Sequence, residues 1–486
     1  MFQGRNIQIV VHYVPIVCFV LLVFLSETVL ASDNLDDVLS GFDEQLPPGG
    51  GVSDDDLDDA LSGFEAPPID GLNTQDADQK NSPEWLEVFG ELSFAGSWNY
   101  NHKAPSEEEA DFRGLSMLRS SAALGGDVAI GDWRGRASAH VFYDAAYSIQ
   151  GRDQYSEDLL DEYEQELEID ELYLAGSLNR SLDLKFGRQV VVWGKSDNLR
   201  VTDILNPLDN RLPGMVDIKY KRLPVTMTKL DYYRGAWNLS AVILNEVRFD
   251  KTPVYKSEFY PGDSPLPPKR ESTNFSIDTQ QYGVALNGIF SGWDLSLYQA
   301  WVYDNRAHLT IENGVQVRAY SRTSMTGLTG NVAFGNWLLK GEGAWWQDLK
   351  FTTLPEEEYD RIEVMAGVEY TGFSKTMLSL EFVNRHILDF DEKLRLSPDN
   401  AEQDQQQTAL MFTRDFVNDT IQLKILCSLF GFHGENGAFE RFQLDYDVND
   451  SVTLTGGVVF YQSGDQVAFS EVEDNDRLFV EYSYAF

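Results

Sequence analysis

The sequence predicts a transmembrane antiparallel β-barrel of about 18 strands, with 16 as the neighbouring even number, behind an acidic disordered extension. Three observations carry this. Apolar residues recur with period two from Trp85 to the C-terminus. The connections between these runs alternate short and long without a break. The last run sets Leu478, Val480, Tyr482, Tyr484 and Phe486 against Arg477, Phe479, Glu481, Ser483 and Ala485, and the chain ends on an aromatic residue. Lipid-facing and lumen-facing side chains alternate along a membrane strand. Half of each strand then faces water, so a mean hydropathy of −0.31 is no obstacle.

Composition removes other classes. Asp and Glu number 78 against 38 Lys and Arg, a net charge of −40. A chain so acidic lacks the basic surface that nucleic acid requires. Two cysteines exclude a disulfide scaffold. The 43% hydrophobic and 13% aromatic residues exclude wholesale disorder. Beyond the N-terminus no apolar run approaches the roughly 20 residues of a membrane helix.

Residues 1–31 read as a secretory signal peptide: Arg5, an apolar stretch from about Val14 to Leu25, and Val29-Leu30-Ala31 as the cleavage site. The alternative is an uncleaved anchor, against which Pro15 and the short apolar core count. Cleavage leaves Cys427 as the one cysteine. Residues 32–84 hold 15 acidic residues and one basic residue, Lys80. Such a segment is expected to be disordered in isolation, in the periplasm. Leu35-Asp36-Asp37-Val38-Leu39-Ser40-Gly41-Phe42 recurs as Leu57-Asp58-Asp59-Ala60-Leu61-Ser62-Gly63-Phe64. Leu35, Leu39 and Phe42, like Leu57, Leu61 and Phe64, fall on one helical face. Two readings stay open: a paired peptide that folds on a partner, or an acidic spacer with a duplication.

Residues 85–486 read as the barrel. Short turns lie near Gly131-Asp132, Asn179, Gly235, Ser291-Gly292, Gly335-Asn336, Gly372, Asn418-Asp419 and Asn449-Asp450. Longer segments fall near 101–114, 149–165, 194–222, 249–278, 304–323, 348–359, 387–405, 431–438 and 462–475. This is the asymmetry of periplasmic turns and extracellular loops, and it puts both termini in the periplasm. Trp133, Trp237, Trp293 and Trp337 each follow a short turn. Indole collects at the membrane interface, so these residues predict a periplasmic girdle.

If the tryptophans face lipid, the opposite parity faces the lumen. That places Arg134, Arg136, His140, Asp144, Lys340, Glu342, Arg361, Glu363, Glu381, Lys424, Arg441, Asp445, Arg477 and Glu481 inside, a polar interior of mixed sign. Acidic runs such as Glu157–Glu166 read as solvated charge, since the spacing of a calcium loop is absent. No catalytic or zinc-binding pattern is present, and neither an enzyme nor a cofactor is expected. The residual enzymatic alternative is activity on phospholipid. The aromatic C-terminus resembles the signal that the assembly machinery of Gram-negative outer-membrane barrels reads, with Phe486 as its terminal residue.

The most distinctive stretch is Gly187-Arg188-Gln189-Val190-Val191-Val192-Trp193-Gly194-Lys195, followed by Asp203-Ile204-Leu205-Asn206-Pro207-Leu208-Asp209. It resembles the Gly-Arg-Gln-x-x-x-Trp-Gly … Asn-Pro-x-Asp segment of the DUF1302 family, porin-like outer-membrane proteins. Lys195 departs from the pattern, where an acidic residue is frequent. The resemblance implies a barrel in the outer membrane, company with RND-type exporters, and handling of sterols or other hydrophobic compounds. Leu199, Val201, Ile204, Leu205 and Leu208 make the following loop too apolar for a free excursion. It is expected to fold into the barrel mouth and narrow the channel. Arg188, Gln189, Trp193, Lys195, Asp203, Asn206 and Asp209 would line or brace that constriction. Two functions are expected to compete: a channel for small or amphipathic molecules, or a docking component of an export or lipid-transfer assembly recruited through the tail.

Overall fold

The computed structural model describes residues 85–105, 110–216, 218–270 and 274–486. The expected signal peptide, the expected acidic tail and its repeat residues Leu35, Leu39, Phe42, Leu57, Leu61 and Phe64 lie outside the described residues.

Eighteen strands close a barrel. Each pairs antiparallel with its neighbour in sequence, and the last, Arg477–Ala485, pairs with the first, Leu86–Asn99. The expected turns join the strands in pairs, and the expected long segments form the opposite rim. One long segment holds more than a loop. Between the ninth strand, Trp293–Tyr303, and the tenth, Arg322–Phe334, a separate hairpin pairs His308–Glu312 with Val315–Ala319. Asn313 and Gly314 turn it with positive φ, the backbone that a two-residue hairpin turn needs. The acidic run likewise organises itself. Glu157–Tyr163 is a helix whose first turn carries Glu157 and Asp158, and the Ser156 hydroxyl caps it by accepting from the Leu159 N–H. Acidic side chains are favoured at that helix end.

The outward face is apolar and bounded by aromatic residues. Trp237, Trp293 and Trp337 are exposed at the short-turn side, and Trp98, Trp301 and Trp345 at the long-loop side. Eight residues separate Trp293 from Trp301. With about 3.3 Å per residue and a tilt near 40°, the two belts stand about 20 Å apart, close to the apolar band of a membrane barrel. The wall is not equally tall. The fifth to eighth strands, Leu182–Gln189, Val225–Arg234, Trp237–Leu244 and Gln281–Phe290, have only 8 to 10 residues, against 14 and 17 in the first two.

The expected polar lumen of mixed sign needs correction, because much of the inner wall is apolar and covered by loops. Strand parity places Arg134, Arg136, Asp144, Lys340, Glu342, Arg361 and Arg441 on the inner face of the barrel. On the sixth to thirteenth strands, however, the upper lumen wall is Val225, Met227, Val242, Leu244, Ala285, Ala300, Val302, Met325, Ala344 and Val383. These residues are buried together with Val191, Trp193, Leu199, Val201 and Leu205 of the long loop. An apolar lumen face is stable here because a loop covers it rather than water.

Candidate functional site

The loop 190–224 departs from the fifth strand at the pair of residues that open the distinctive motif. Gly187 has φ +132°, and a Cβ there would lie 2.1 Å from the Leu172 carbonyl oxygen. Only glycine lets the fourth and fifth strands approach at this point. Beyond Gln189 the chain turns into the lumen. Gln189 is buried, its Nε2 donating to the carbonyls of Met227 (3.2 Å) and Gly187 (3.3 Å).

Asn206 ties the loop's exit to its return. Its Oδ1 accepts from the Val191 N–H (2.8 Å), and its Nδ2 donates to the carbonyls of Leu223 (2.9 Å) and Gln189 (3.3 Å). A side-chain amide offers donor and acceptor together, which explains asparagine at this position. Asp203 accepts from Arg222 Nε (2.9 Å), and Arg200 donates to the carbonyls of Asp203 (2.6 Å) and Asn206 (2.7 Å).

The tip of the loop is pinned to the far wall. The Trp193 indole stacks on the Tyr298 ring, with centroids 4.7 Å apart. Glu342 on the eleventh strand, Trp337–Leu349, accepts from the N–H groups of Lys195 (2.5 Å), Ser196 (2.7 Å) and Thr202 (3.2 Å) and from the Thr202 hydroxyl (2.9 Å). Glu381 on the thirteenth strand, Thr376–Ile387, accepts from the Ser196 hydroxyl (2.7 Å) and the N–H groups of Asp197 and Asn198 (both 3.0 Å). Lys195 Nζ stands 2.9 Å from Asp294, and Lys340 pairs with Asp197. Gly194, at φ +93°, leaves room for this arrangement: a Cβ would meet the Glu342 carboxylate at 2.8 Å. Asp294 is the second residue after a short turn. The tip therefore reaches close to the short-turn end of the wall.

The seven expected loop residues separate into three groups. Trp193, Lys195 and Asp203 belong to the pinned tip. Gln189 and Asn206 hold the loop's base. Arg188 and Asp209 lie at the rim: Arg188 pairs with Glu168 (2.5 Å) and Glu246 (2.8 Å), and Asp209 with Arg211 (2.6 Å). Lys221, on the returning arm, is pushed by burial down to about 8, against the pull of Asp209 and Asp250. Sequence reasoning missed Arg200, Thr202 and Tyr298 as loop anchors.

Among the expected lumen residues, Arg136 pairs with Asp127 (2.6 Å) and Glu171 (3.3 Å), and Arg361 with Glu363 (2.6 Å). Asp144 accepts from the Leu118 N–H (2.8 Å), and Arg441 approaches the Gly214 carbonyl (3.5 Å). Arg134 is exposed near the short-turn rim. The polar wall continues through Lys424, 3.0 Å from Asp445, and through Gln443 and Ser483. Among the described residues no group of His, Cys, Asp and Glu is arranged to hold a metal.

A family model described as "Protein of unknown function (DUF1302)" matches residues 73–486. No curated protein matches the chain. Among solved structures, OccK1 (OpdK) of Pseudomonas aeruginosa is similar at 10% identity and TM-score 0.48, covering 82% of this chain and 98% of its own. Salmonella typhi OmpF in complex with daunomycin matches at 12% identity and TM-score 0.42, covering 82% and 97%. The outer-membrane channel DcaP of Acinetobacter baumannii matches at 10% identity and TM-score 0.41, with the same coverage.

Proposed function

The chain belongs to the DUF1302 family, and we propose that it is an outer-membrane channel passing small or amphipathic molecules by diffusion. One observation carries this reading. The long loop is fixed against the apolar side of the lumen wall and, through Leu212 and Met215, against Val459, Tyr461 and Phe479 near the long-loop rim, which leaves the polar wall nearer the short turns to line a water-filled passage. Rings of charged and polar side chains at a constriction select what enters. The loop tip with Lys195 and Asp197 stands on one side of that passage. Lys424, Asp445 and Glu481 stand on the other. Barrels of this strand number are wide enough to hold such a channel beside a folded loop.

The test is single-channel recording on the refolded mature protein, residues 32–486, in a planar bilayer. Steady openings of nanosiemens order support the reading. A correctly folded, silent barrel overturns it.

The duplicated Leu-Asp-Asp-x-Leu-Ser-Gly-Phe peptide favours a second reading, since a simple diffusion channel needs no such tail. Here the barrel is the outer-membrane docking component of an RND-type export or lipid-transfer assembly, held through Leu35, Leu39, Phe42, Leu57, Leu61 and Phe64. Deleting 32–84 separates the two. Transport in cells survives the deletion if the protein is a channel and is abolished if it is a docking component.

A further inference from the structure

The barrel wall contains a seam. The fourth strand, Gln165–Asn179, pairs along Gln165–Gly176 with the third strand, Trp133–Asp144. On its other side the ladder with the fifth strand reaches only Leu172, opposite Arg188. Among the described residues no strand continues beside Gln165–Glu171, because the fifth strand leaves for the lumen after Gln189. Side chains close the gap instead. Glu168 takes Arg188 (2.5 Å), Arg248 (2.9 Å) and Lys251 (3.4 Å), and Glu166 takes Arg211 (2.7 Å) and Lys251 (2.8 Å). Arg188 Nε caps the bare edge by donating to the Ile169 carbonyl (2.7 Å).

Depth places this seam in the outer leaflet. Leu167 lies opposite Val141, eight residues beyond Trp133. That is about 20 Å above the short-turn belt, the same separation as Trp293 from Trp301, so Leu167 lies level with the long-loop belt and Ile169, opposite Ala139, lies below it in the apolar band. Leu167 is 77% exposed, against 46% and 49% for Leu297 and Leu328, outward residues flanked on both sides. Backbone without a ladder partner is costly in hydrocarbon unless protein or water satisfies it. The seam is thus apolar outside, charged inside, and joined by contacts that can exchange partners.

We propose that this seam is a lateral portal through which an amphiphile with a carboxylate head and an apolar chain passes between the lumen and the outer leaflet. The chain lies along Leu167, Ile169, Leu172 and Phe186. The head takes the place of a seam glutamate on Arg188, so no cation is left bare. It deepens the channel reading, on which its lumen end rests.

The experiment uses the refolded protein in phosphatidylcholine vesicles with dodecanoate carrying a tail diazirine. After irradiation, cross-links are mapped by mass spectrometry. Label is expected to concentrate on Leu167, Ile169, Leu172 and Phe186 over Leu297 and Leu328, and plain dodecanoate should compete it away. Arg188→Gln should lower seam labelling about tenfold, the worth of a charge-assisted hydrogen bond. Leu167→Cys, an exposed change that leaves the ion pairs intact, should block labelling at Ile169 and Phe186 once it carries a bulky maleimide. Even labelling around the wall, or seam labelling indifferent to both variants, overturns the portal. Potassium chloride conductance of the same preparation separates the readings. A conducting barrel labelled evenly keeps the channel and loses the portal. A silent barrel labelled at the seam does the reverse.

Discussion

The two halves of the lumen wall use the same strand geometry for different ends. On the sixth to thirteenth strands, residues such as Met227, Leu244, Ala300 and Met325 turn apolar side chains inward, and the loop 190–224 covers them. On the fourteenth to eighteenth strands and the first three, the same parity presents Gln407, Lys424, Gln443, Asp445, Thr455, Glu481 and Arg136, while near the long-loop rim Phe439, Val459, Tyr461 and Phe479 pack with Leu212 and Met215 of the same loop and with Phe259. The difference teaches that a barrel lumen is set locally. Where a segment of the chain packs, the inner face is a protein core. Where none does, it is a water-exposed surface.

The comparison can be broken most forcefully at the two carboxylates that hold the loop tip. Glu342→Ala with Glu381→Ala removes the two carboxylates that accept from the N–H groups of Lys195, Ser196, Asp197, Asn198 and Thr202. Losing one partner of a buried charged network costs about 3–5 kcal/mol. The tip should leave the wall, and single-channel conductance should rise at least about twofold as the constriction widens. Deleting 196–212 should act in the same direction.

A smaller effect comes from Gly194→Ala. The added Cβ collides with the Glu342 carboxylate at a positive-φ position, a strain of about 1–3 kcal/mol. Noisier, larger openings are expected. Gly456→Ala, on the outward face of the seventeenth strand where nothing approaches closer than 3.9 Å, should leave the recordings unchanged.

Charge changes on the polar half should alter selectivity without altering the loop. Lys424→Glu puts a second carboxylate beside Asp445, and the preference for potassium over chloride should move toward cations by about twofold, read from reversal potentials.

The smallest expected effect is one of pH. Burial holds Lys221 at about 8 in the folded loop, below its ordinary 10.5. The folded state therefore binds fewer protons than the unfolded state between those values, so the stability of the loop's return arm should rise as pH goes from about 8 to 10.5. Protection of the return-arm amides against hydrogen exchange, corrected for the base-catalysed rise of the intrinsic rate, should increase over this range, and Lys221→Met should remove the increase.

Much of the fold was legible because its signals are local. Period two, the turn residues and Trp133, Trp237, Trp293 and Trp337 fix strand count and orientation within short windows. The hairpin at His308–Ala319 was hidden because its five-residue strands fit inside an ordinary loop length. The loop's base was readable from Gly187, Gln189 and Asn206, but its docking was not. Glu342 lies 147 residues from Lys195, and nothing in the sequence marks that glutamate above the other lumen charges. The apolar half-wall did leave a signal: Ala241-Val242-Ile243-Leu244 and Trp301-Val302 are apolar at both parities, which a water-facing lumen cannot explain.

The most direct test is side-specific cysteine chemistry during current recording. In a Cys427→Ser background, single cysteines replace Gln443 and Ser483 on the polar half and Ala300 and Met325 on the apolar half. A charged, membrane-impermeant methanethiosulfonate should step the current down at Gln443→Cys and Ser483→Cys and leave Ala300→Cys and Met325→Cys unmodified. Rapid modification at Ala300 and Met325, with none at Gln443 and Ser483, would contradict the division of the lumen on which the account rests.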